Sequence, residues 1–364
     1  MNPSSGSELI SDDEKALYDR QIRLWGLEAQ NRLRNSRVLL AGLSGCGAEI
    51  AKNLVLAGLK SLTLLDTNKV SVDDECCQFL APIGCIGQNR AEASKERCQM
   101  LNPNVRLFVD NEDLITKDED FFKQFDLVIV VDYKYSVVDR INEICRKHHI
   151  RFQAAGVFGW IGYAFSDFNN YSFIVNVKKK CSAYTIDESL DEEAGTSNFK
   201  KSTQTENKLK ENGKEQLDIP IVDVEEEKIK MDVPFSSWSS ALNVDWTHKK
   251  LVRKVKRILP NTYPVFRALL RANDSNCKVD ADLIARYWKE EAERCGRIVE
   301  DSFISEEIPF LLGPQLSPTC AIVGAVVAQE AIKALSQNEL PLKNLFLYSS
   351  YSTTGVVCSL PPEI

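Results

Sequence analysis

Short apolar runs alternate with segments of helical periodicity along the first half of the chain. The run Val38–Ala41 precedes a glycine-containing turn, and Ile50, Leu54 and Leu56 beyond the turn keep one helical face. A second run, from Ser61, ends at Asp66. A strand, a helix and a second strand in this order predict a βαβ unit of the doubly wound type.

The alternation continues beyond this unit. Strands are predicted at Val105–Val109 and Asp126–Asp132, and a further strand begins at Ile150 after a predicted helix over Val137–Lys147. These strands are almost uninterrupted apolar runs, as expected for a parallel sheet that is covered on both faces. The predicted class is therefore α/β, with a Rossmann-like, doubly wound mixed sheet.

Helical patterns and a hairpin pattern fill the second half of the chain. Charged helices are predicted over Val244–Ile258, Val265–Leu270 and Ala281–Cys295, which together form a helical insertion. A mostly apolar helix follows over Ser317–Leu335, and the closing segments NLFLYSS and GVVCSL predict a C-terminal β-hairpin.

Composition divides the chain into four segments. Residues 1–10 are predicted to be a disordered tail, and Ser11 with Glu14 forms a capping-box pattern that begins the first helix. Residues 187–218 are predicted to be a disordered polar linker, because so polar a stretch cannot offset its ordering entropy by burial. The charge run VEEEKIK that follows is interpreted as solvated surface. The α/β domain then covers 11–186, and 219–364 adds the helical segment and completes the domain.

Charge and cysteine content narrow the class of protein. The chain of 364 residues has a formal net charge of −7, which argues against a nucleic-acid-binding protein. The sequence contains no apolar run of about 18 residues, so no membrane span is predicted. The 11 cysteines include no C-x-x-C pair, so neither a metal site nor a redox motif is predicted. Free thiols in a reducing compartment are expected.

The glycine turn is the first candidate site. Gly42, Gly45 and Gly47 give the order G-x-x-G-x-G, whereas dinucleotide-binding proteins have G-x-G-x-x-G. Glycine lets the backbone approach a phosphate, and the amino terminus of the following helix favours anions. Asp66 is placed to accept a hydrogen bond from a ribose, and Asp132 ends another strand where ligands bind in open α/β sheets. A nucleotide cleft and a tight turn that binds nothing both fit this pattern.

A set of motifs resembles one known family. In chain order they are YDRQIRLWG, the glycine turn, Asp66, QFL, IGQNRA and AIVGAVVAQEAIKAL. Together they resemble the adenylating enzymes that activate ubiquitin and its relatives, over nearly the whole chain outside the linker. The resemblance implies an adenylation-domain fold. No single motif is specific for this family, but the whole set in this order and spacing is specific for it.

The chain departs from the pattern of active family members. Active members have an asparagine and an arginine before Gln-Phe-Leu that hold the ATP phosphates, and here Cys76 and Cys77 stand there. Their phosphate-binding lysine corresponds to Arg90. Paired zinc-binding cysteines are missing, and the insertion holds no cysteine that could form a thioester. The resemblance therefore implies an inactive copy of the domain, with a degenerate and vacant cleft.

The YDRQ motif supplies a role for Arg20. In the family, this arginine lies on an amino-terminal helix and enters the ATP site of the partner subunit. The resemblance implies that Arg20 is donated in the same way, although a structural salt bridge is the alternative that the local pattern alone favours. Arg20 follows Leu17 by three residues and precedes Leu24 by four, which places it beside an apolar helical face.

Length and the short insertion indicate which branch of the family is involved. The pattern most closely resembles the small, non-catalytic subunits of the two-chain enzymes that activate the modifier SUMO. This implies a heterodimer with a large catalytic subunit that binds ATP and Mg²⁺, with SUMO as substrate and the SUMO-conjugating enzyme reached through the complex. A nuclear location, possible also in the cytoplasm, follows from the same resemblance.

Two alternatives stay open at this point. One is a self-sufficient adenylating enzyme for a ubiquitin-like protein or a sulfur carrier, against which Cys76 and Cys77 argue. The other is a Rossmann oxidoreductase that uses NAD(P), against which the glycine order argues.

Overall fold

The protein is described by a computed structural model covering residues 10–178, 226–275, 277–297 and 308–363. The predicted linker at 187–218 and the predicted tail, except Ile10, lie outside the described residues. Ile10 corrects the tail boundary by one residue, because its side chain is buried and its amide N–H donates to Asn31 Oδ1.

The described strands and helices confirm the α/β class. The strands are β1 Arg37–Ala41, β2 Ser61–Leu65, β3 Arg106–Asp110, β4 Leu127–Val131, β5 Arg151–Phe158, β6 Ile161–Asp167, β7 Asn170–Lys178, β8 Glu226–Pro234, β9 Leu345–Ser349 and β10 Thr354–Cys358. The helices are α1 Asp12–Leu17, α2 Asp19–Trp25, α3 Leu27–Arg34, α4 Gly45–Ala57, α5 Arg90–Leu101, α6 Glu119–Phe122, α7 Tyr135–Lys147, α8 Trp238–Leu242, α9 Lys249–Val252, α10 Val255–Ile258, α11 Thr262–Asp274, α12 Ala281–Arg294 and α13 Ser317–Ser336.

Eight strands form one mixed sheet in the order β10-β9-β6-β5-β4-β1-β2-β3. Strands β1 to β5 are parallel, whereas β6, β9 and β10 are antiparallel to their neighbours. The predicted C-terminal hairpin is therefore the β9–β10 pair, which extends the sheet at one edge. Strands β7 and β8 form a separate two-stranded sheet.

Both faces of the sheet are covered, which explains the continuous apolar strands. One face packs against α7, α8 and α11, with Val128, Phe152 and Trp238 in a single buried cluster. The long helices α4 and α13 pack against each other and against β5. Gln153 lies at this contact, where its side-chain amide donates to Val327 O at 3.2 Å.

Helix α13 is long and apolar enough to cross a membrane by length and composition, but two thirds of its apolar window is buried within the protein. This burial indicates that α13 is part of the hydrophobic core. The sequence interpretation of this segment as a core helix is thereby confirmed.

The run VEEEKIK was interpreted as solvated surface, and its residues Ile229 and Lys230 are exposed. No strand was predicted there, but strand β8 begins at Glu226, because Ile229, Met231 and Val233 alternate with charged residues at a period of two. One helix prediction is wrong. The predicted helix Val244–Ile258 is instead the two single-turn helices α9 and α10.

Gly324 provides a test of the α4–α13 packing. A Cβ atom at Gly324 would lie 2.6 Å from Glu49 Cβ and 3.2 Å from Cys46 O. We expect Gly324→Ala to lower the free energy of unfolding by about 2 kcal/mol in urea denaturation, since overpacking outweighs the gain in helix propensity.

The matched control is Gly313→Ala, whose added Cβ would meet no atom closer than 3.7 Å. Its free energy of unfolding is expected to stay within about 0.5 kcal/mol of the unsubstituted protein. Equal stabilities for the two variants would contradict the close packing.

Candidate functional site

The candidate site lies where the strand order reverses. The chain leaves β1 towards β2 and β3 on one side, whereas β4 and β5 lie on the other side of β1. Open α/β sheets bind ligands at the carboxyl ends of the strands at such a point. A cavity of about 320 Å³ lies here, and four of the predicted site residues line it: Gly42, Asp66, Arg90 and Asp132.

The glycine turn is fixed by close contacts. Gly42 has a φ of +98°, which other residues rarely adopt, and a Cβ there would lie 2.2 Å from Val131 O. A Cβ at Gly47 would lie 2.0 Å from Gly42 O, and one at Gly45 would lie 2.6 Å from Cys77 Sγ. Packing alone therefore requires Gly45 and Gly47, and neither lines the cavity.

Asp66 stabilises the glycine turn through hydrogen bonds. Its side chain is fully buried, Oδ2 accepts from the Leu43 N–H at 2.7 Å, and Oδ1 accepts from Asn68 N at 2.8 Å and Nδ2 at 3.0 Å. A carboxylate has about four acceptor positions, and three are used here. Asp66 therefore acts first as a structural acceptor and retains little capacity for a ribose hydroxyl.

Asp132, which follows β4, is also fixed by hydrogen bonds to its carboxylate. Oδ1 accepts from the Val157 N–H at 2.9 Å, and Oδ2 accepts from Gln315 Nε2 at 2.8 Å and from the Ser44 hydroxyl. Desolvation by burial raises the pKa of Asp132, although these three hydrogen bonds oppose the rise. The carboxylate thus links the glycine turn, β5 and the loop before α13.

Arg90 does not present a free cation to the cavity. Its Nε and Nη2 atoms contact the two carboxylate oxygens of Asp74, each at 3.0 Å. Asp74 is 4% exposed and also accepts from the Ser71 N–H at 2.8 Å and the Ser71 hydroxyl at 3.0 Å. A bidentate pair of this kind fixes the guanidinium geometrically as well as electrostatically. Its charge is therefore neutralised within the chain.

Cys76 and Cys77 supply no replacement for a phosphate-binding pair. Cys76 is exposed and its thiol donates to Asp73 O at 2.9 Å, while Cys77 is buried. Among the described residues, no group of three or more His, Cys, Asp or Glu side chains is arranged to hold a metal ion. The cavity is thus lined by the carboxylates of Asp66 and Asp132, by Arg90 in its pair with Asp74, and by the exposed Lys134.

Arg20 lies elsewhere, on helix α2. Tyr18 anchors this helix: it is 2% exposed, and its hydroxyl accepts from Asn102 Nδ2 at 2.8 Å. Gln21 adds a hydrogen bond to Leu56 O at 3.1 Å. The opposite side of the helix is exposed, with Leu24 79% accessible. Arg20 is exposed on this side.

The predicted alternative of a salt bridge for Arg20 has no counterpart in the part of the chain that the structure describes. Its neighbour Asp19 pairs with Arg23 instead, at 2.9 Å. Arg20 has no hydrogen-bond or ion-pair partner among residues 10–178, 226–275, 277–297 and 308–363. A well-anchored helix therefore exposes a guanidinium that has no partner in the part of the chain that the structure describes.

Sequence reasoning missed two residues that complete the site. Asp74 lies within the motif DDECCQFL, so its proximity to Arg90 could have been suspected, but the pairing could not. Gln315 gives no signal at all in the sequence. It reaches Asp132 and the Val157 carbonyl from the loop before α13.

The mixed sheet with its cleft at the switch point defines an adenylation-type α/β fold. Solved structures with this architecture support the class. A crystal structure of PaaA superposes with a TM-score of 0.52 at 14% identity, covering 98% of this chain and 76% of PaaA. A crystal structure of Escherichia coli MccB with succinimide gives 0.51 at 12% identity, covering 94% and 71%. At these identities the likeness concerns the fold alone.

Sequence comparison gives the family. The model of the ThiF family matches residues 18–362. SUMO-activating enzyme subunit aos-1 of Caenorhabditis elegans is 37% identical over 97% of this chain and 99% of its own length. SUMO-activating enzyme subunit 1 of Xenopus tropicalis is 38% identical over 96% of each chain, and the Homo sapiens protein of that name is 36% identical over 97% of each. The chain belongs to the ThiF family and, within it, to the SUMO-activating enzyme subunit 1 proteins.

The Arg90–Asp74 pair can be tested by stability. We expect Asp74→Asn to lower the free energy of unfolding by about 2 kcal/mol, because it leaves a half-buried guanidinium without its counter-charge. Urea denaturation of the isolated chain measures the change.

Asp73→Asn is the matched control, since Asp73 is the exposed neighbour and forms no ion pair in the described residues. It is expected to change the stability by less than about 0.5 kcal/mol. A control as destabilised as Asp74→Asn would mean that the pair contributes nothing specific.

Proposed function

We propose that this chain is the non-catalytic subunit of a two-chain SUMO-activating enzyme. In this proposal the large catalytic subunit binds ATP and Mg²⁺, adenylates the carboxy-terminal glycine of SUMO and forms the thioester on its own cysteine. This chain contributes Arg20 to the partner's site. The observation that carries the proposal is the anchored helix α2 with an exposed Arg20 that has no partner among the described residues, in a chain whose own cleft arginine is paired with Asp74.

The chemistry of adenylation explains why an arginine would be donated. The carboxylate of SUMO attacks the α-phosphate of ATP, and pyrophosphate leaves with growing negative charge. A guanidinium directed at that charge stabilises the transition state more than the bound substrates. Arginine fingers supply this kind of stabilisation in phosphoryl transfer. Arg20 would supply it from a second chain.

The cleft of this chain supports the division of roles. The Arg90–Asp74 pair and the hydrogen bonds on Asp66 and Asp132 satisfy the groups that a nucleotide would otherwise contact. A self-sufficient adenylating enzyme would need those groups free. Membership of the ThiF family likewise gives no support to the NAD(P) oxidoreductase alternative.

The surface around Arg20 supports a partner at this position. Leu17 is 61% exposed, Leu24 is 79% exposed, and Leu27 at the start of α3 is 42% exposed. Apolar side chains grouped with an arginine are typical of the central part of protein interfaces. We propose that the large subunit covers this surface, which would bring Arg20 towards its ATP.

Two further parts of the proposal rest on the family resemblance of the sequence motifs alone. The SUMO-conjugating enzyme would be reached through the complex, and the chain would work in the nucleus. The basic segment KKLVRKVKR gives this location little support. Its Leu251 and Val255 are buried while its cations are exposed, as in any solvated helical surface.

Arg20→Ala tests the donated guanidinium. In the assembled heterodimer, we expect SUMO-dependent ATP–pyrophosphate exchange to slow about a hundredfold, because a charge-stabilising donor is lost from the transition state. Size-exclusion chromatography should show that the heterodimer still forms.

Arg23→Ala is the control for that experiment. It removes a guanidinium from the same helix, but one that is already paired with Asp19. Exchange should remain within about twofold of the unsubstituted heterodimer, well inside the loss expected for a transition-state donor. An Arg20→Ala heterodimer with full exchange activity would exclude the donated-arginine role.

Leu24→Glu tests the docking surface. The isolated chain should keep its melting temperature, because Leu24 makes little contact within it, whereas affinity for the large subunit should fall by about thirtyfold or more, as for a central interface residue. Met100→Glu, at a 67% exposed position on α5, is the control for adding a surface carboxylate. Undiminished affinity of Leu24→Glu would place the interface elsewhere.

A further inference from the structure

Three thiols meet beside the amino terminus of helix α4. The sulfurs of Cys77 and Cys320, the latter on the first turn of α13, both lie within 3.0 Å of the position that a Cβ atom at Gly45 would occupy, and Cys76 is the chain neighbour of Cys77. Cys320 also donates to Gln315 Oε1 at 3.5 Å. No sequence spacing reveals this group, because Cys77 and Cys320 come from opposite ends of the fold.

The absence of a side chain at Gly45 makes room for the pair. A Cβ atom there would lie 2.6 Å from Cys77 Sγ and 3.0 Å from Cys320 Sγ. The two sulfurs therefore occupy the volume that any other residue at the start of α4 would fill. The glycine turn, which a nucleotide-binding domain would present to phosphates, here borders a thiol pair.

The surroundings of Cys77 favour its thiolate. Cys77 lies beside the amino terminus of α4, a helix of 13 residues, because a Cβ atom at Gly45 would lie 2.6 Å from its sulfur. The neighbouring Cys320 thiol lowers the pKa of Cys77, whereas burial and the Asp74 carboxylate oppose this effect. Cysteines at helix amino termini are commonly activated in this way.

Access to the pair is one-sided. Cys77 lines an open cavity of about 300 Å³ that Ser44, Asp74 and Arg90 also border. Cys320 is fully buried. A small oxidant in this cavity can therefore meet Cys77, whereas Cys320 has no exposed surface.

We propose that Cys77 and Cys320 form a reversible dithiol–disulfide site that responds to hydrogen peroxide. The Cys77 thiolate attacks the peroxide, the O–O bond breaks, and Cys77 becomes a sulfenic acid as hydroxide, or water after protonation, leaves. The Cys320 sulfur then attacks the sulfenic sulfur, an S–S bond forms, and the hydroxyl leaves as water with the Cys320 proton. Two thiols are oxidised and one peroxide is reduced to two waters.

Cys320 is the resolving residue in preference to Cys76. A disulfide between the adjacent Cys76 and Cys77 would close a strained eight-membered ring, whereas Cys320 lies on a separate element and imposes no such ring. The resulting bond would join the segment before Gln78 to the first turn of α13, across the start of α4. This site is independent of the proposed role of Arg20.

Mass spectrometry of the full chain tests the proposal. After treatment with stoichiometric hydrogen peroxide and blocking of free thiols, the intact mass should show one disulfide, a loss of about 2 Da before blocking. Digestion without reductant should yield a peptide that links Cys77 to Cys320, and dithiothreitol should release it. This mapping needs no variant, so it does not depend on how a substituted chain folds.

Variants sharpen the test. Cys77→Ser and Cys320→Ser should each abolish the linked peptide, whereas Cys85→Ser, at a partly exposed cysteine outside the group, should leave it unchanged. Circular dichroism melting confirms that each variant is folded. A link between Cys76 and Cys77, or oxidation confined to Cys76, Cys85 and Cys277, would overturn the proposal.

The pH dependence of alkylation gives a second readout. Cys320→Ala removes the neighbouring thiol that lowers the pKa of Cys77, so the midpoint for reaction of Cys77 with iodoacetamide should move to higher pH. An unchanged midpoint would show that Cys320 does not activate Cys77.

Discussion

The close approach of helix α4 to the sheet and to helix α13 is the constraint on which the rest of the site depends. It is possible only because Gly42, Gly45, Gly47 and Gly324 have no side chains at the contact points. Asp66 and Asp132 then fix the turn by accepting hydrogen bonds from its backbone and from Ser44. The carboxyl edge of the sheet is thus rigid, but its polar groups are largely satisfied from within.

The internal hydrogen bonds preserve the shape of the cleft but occupy the polar groups that could bind a nucleotide. The fold provides a cleft at the switch point of the sheet, yet Arg90 at its border is held by Asp74, and two cysteines stand where phosphate contacts are expected. At the same time, the amino-terminal helices leave several leucines exposed and Arg20 without an ion-pair partner in the described part of the chain. A chain that holds its own cleft arginine in an ion pair while exposing Arg20 is well suited to complete a partner's site.

The sequence predicted the parts of the fold that depend on local patterns. The parallel strands, the capping box at Ser11, the core helix from Ser317 and the closing hairpin were each confirmed, with boundaries shifted by one or two residues. Of the residues predicted for the cleft, Gly42, Asp66, Arg90 and Asp132 line one cavity at the carboxyl edge of the sheet, whereas Gly45 and Gly47 do not.

The rest depended on contacts that no local pattern encodes. The pairing of Arg90 with Asp74, the hydrogen bonds of Gln315 and the meeting of Cys77 with Cys320 arise only when α5, α13 and their loops pack together. Strand β8 was missed because its charge was weighed above its period of two. One continuous helix was predicted in place of the short helices α9 and α10, each of which buries only one apolar residue.

The most direct test of the account is SUMO-dependent ATP–pyrophosphate exchange, measured for this chain alone, for the large catalytic subunit alone and for their mixture. The account predicts that each chain is inactive by itself and that the mixture is active. Exchange by this chain alone would show that its cleft binds and uses ATP, and would contradict the neutralising role assigned to Asp74.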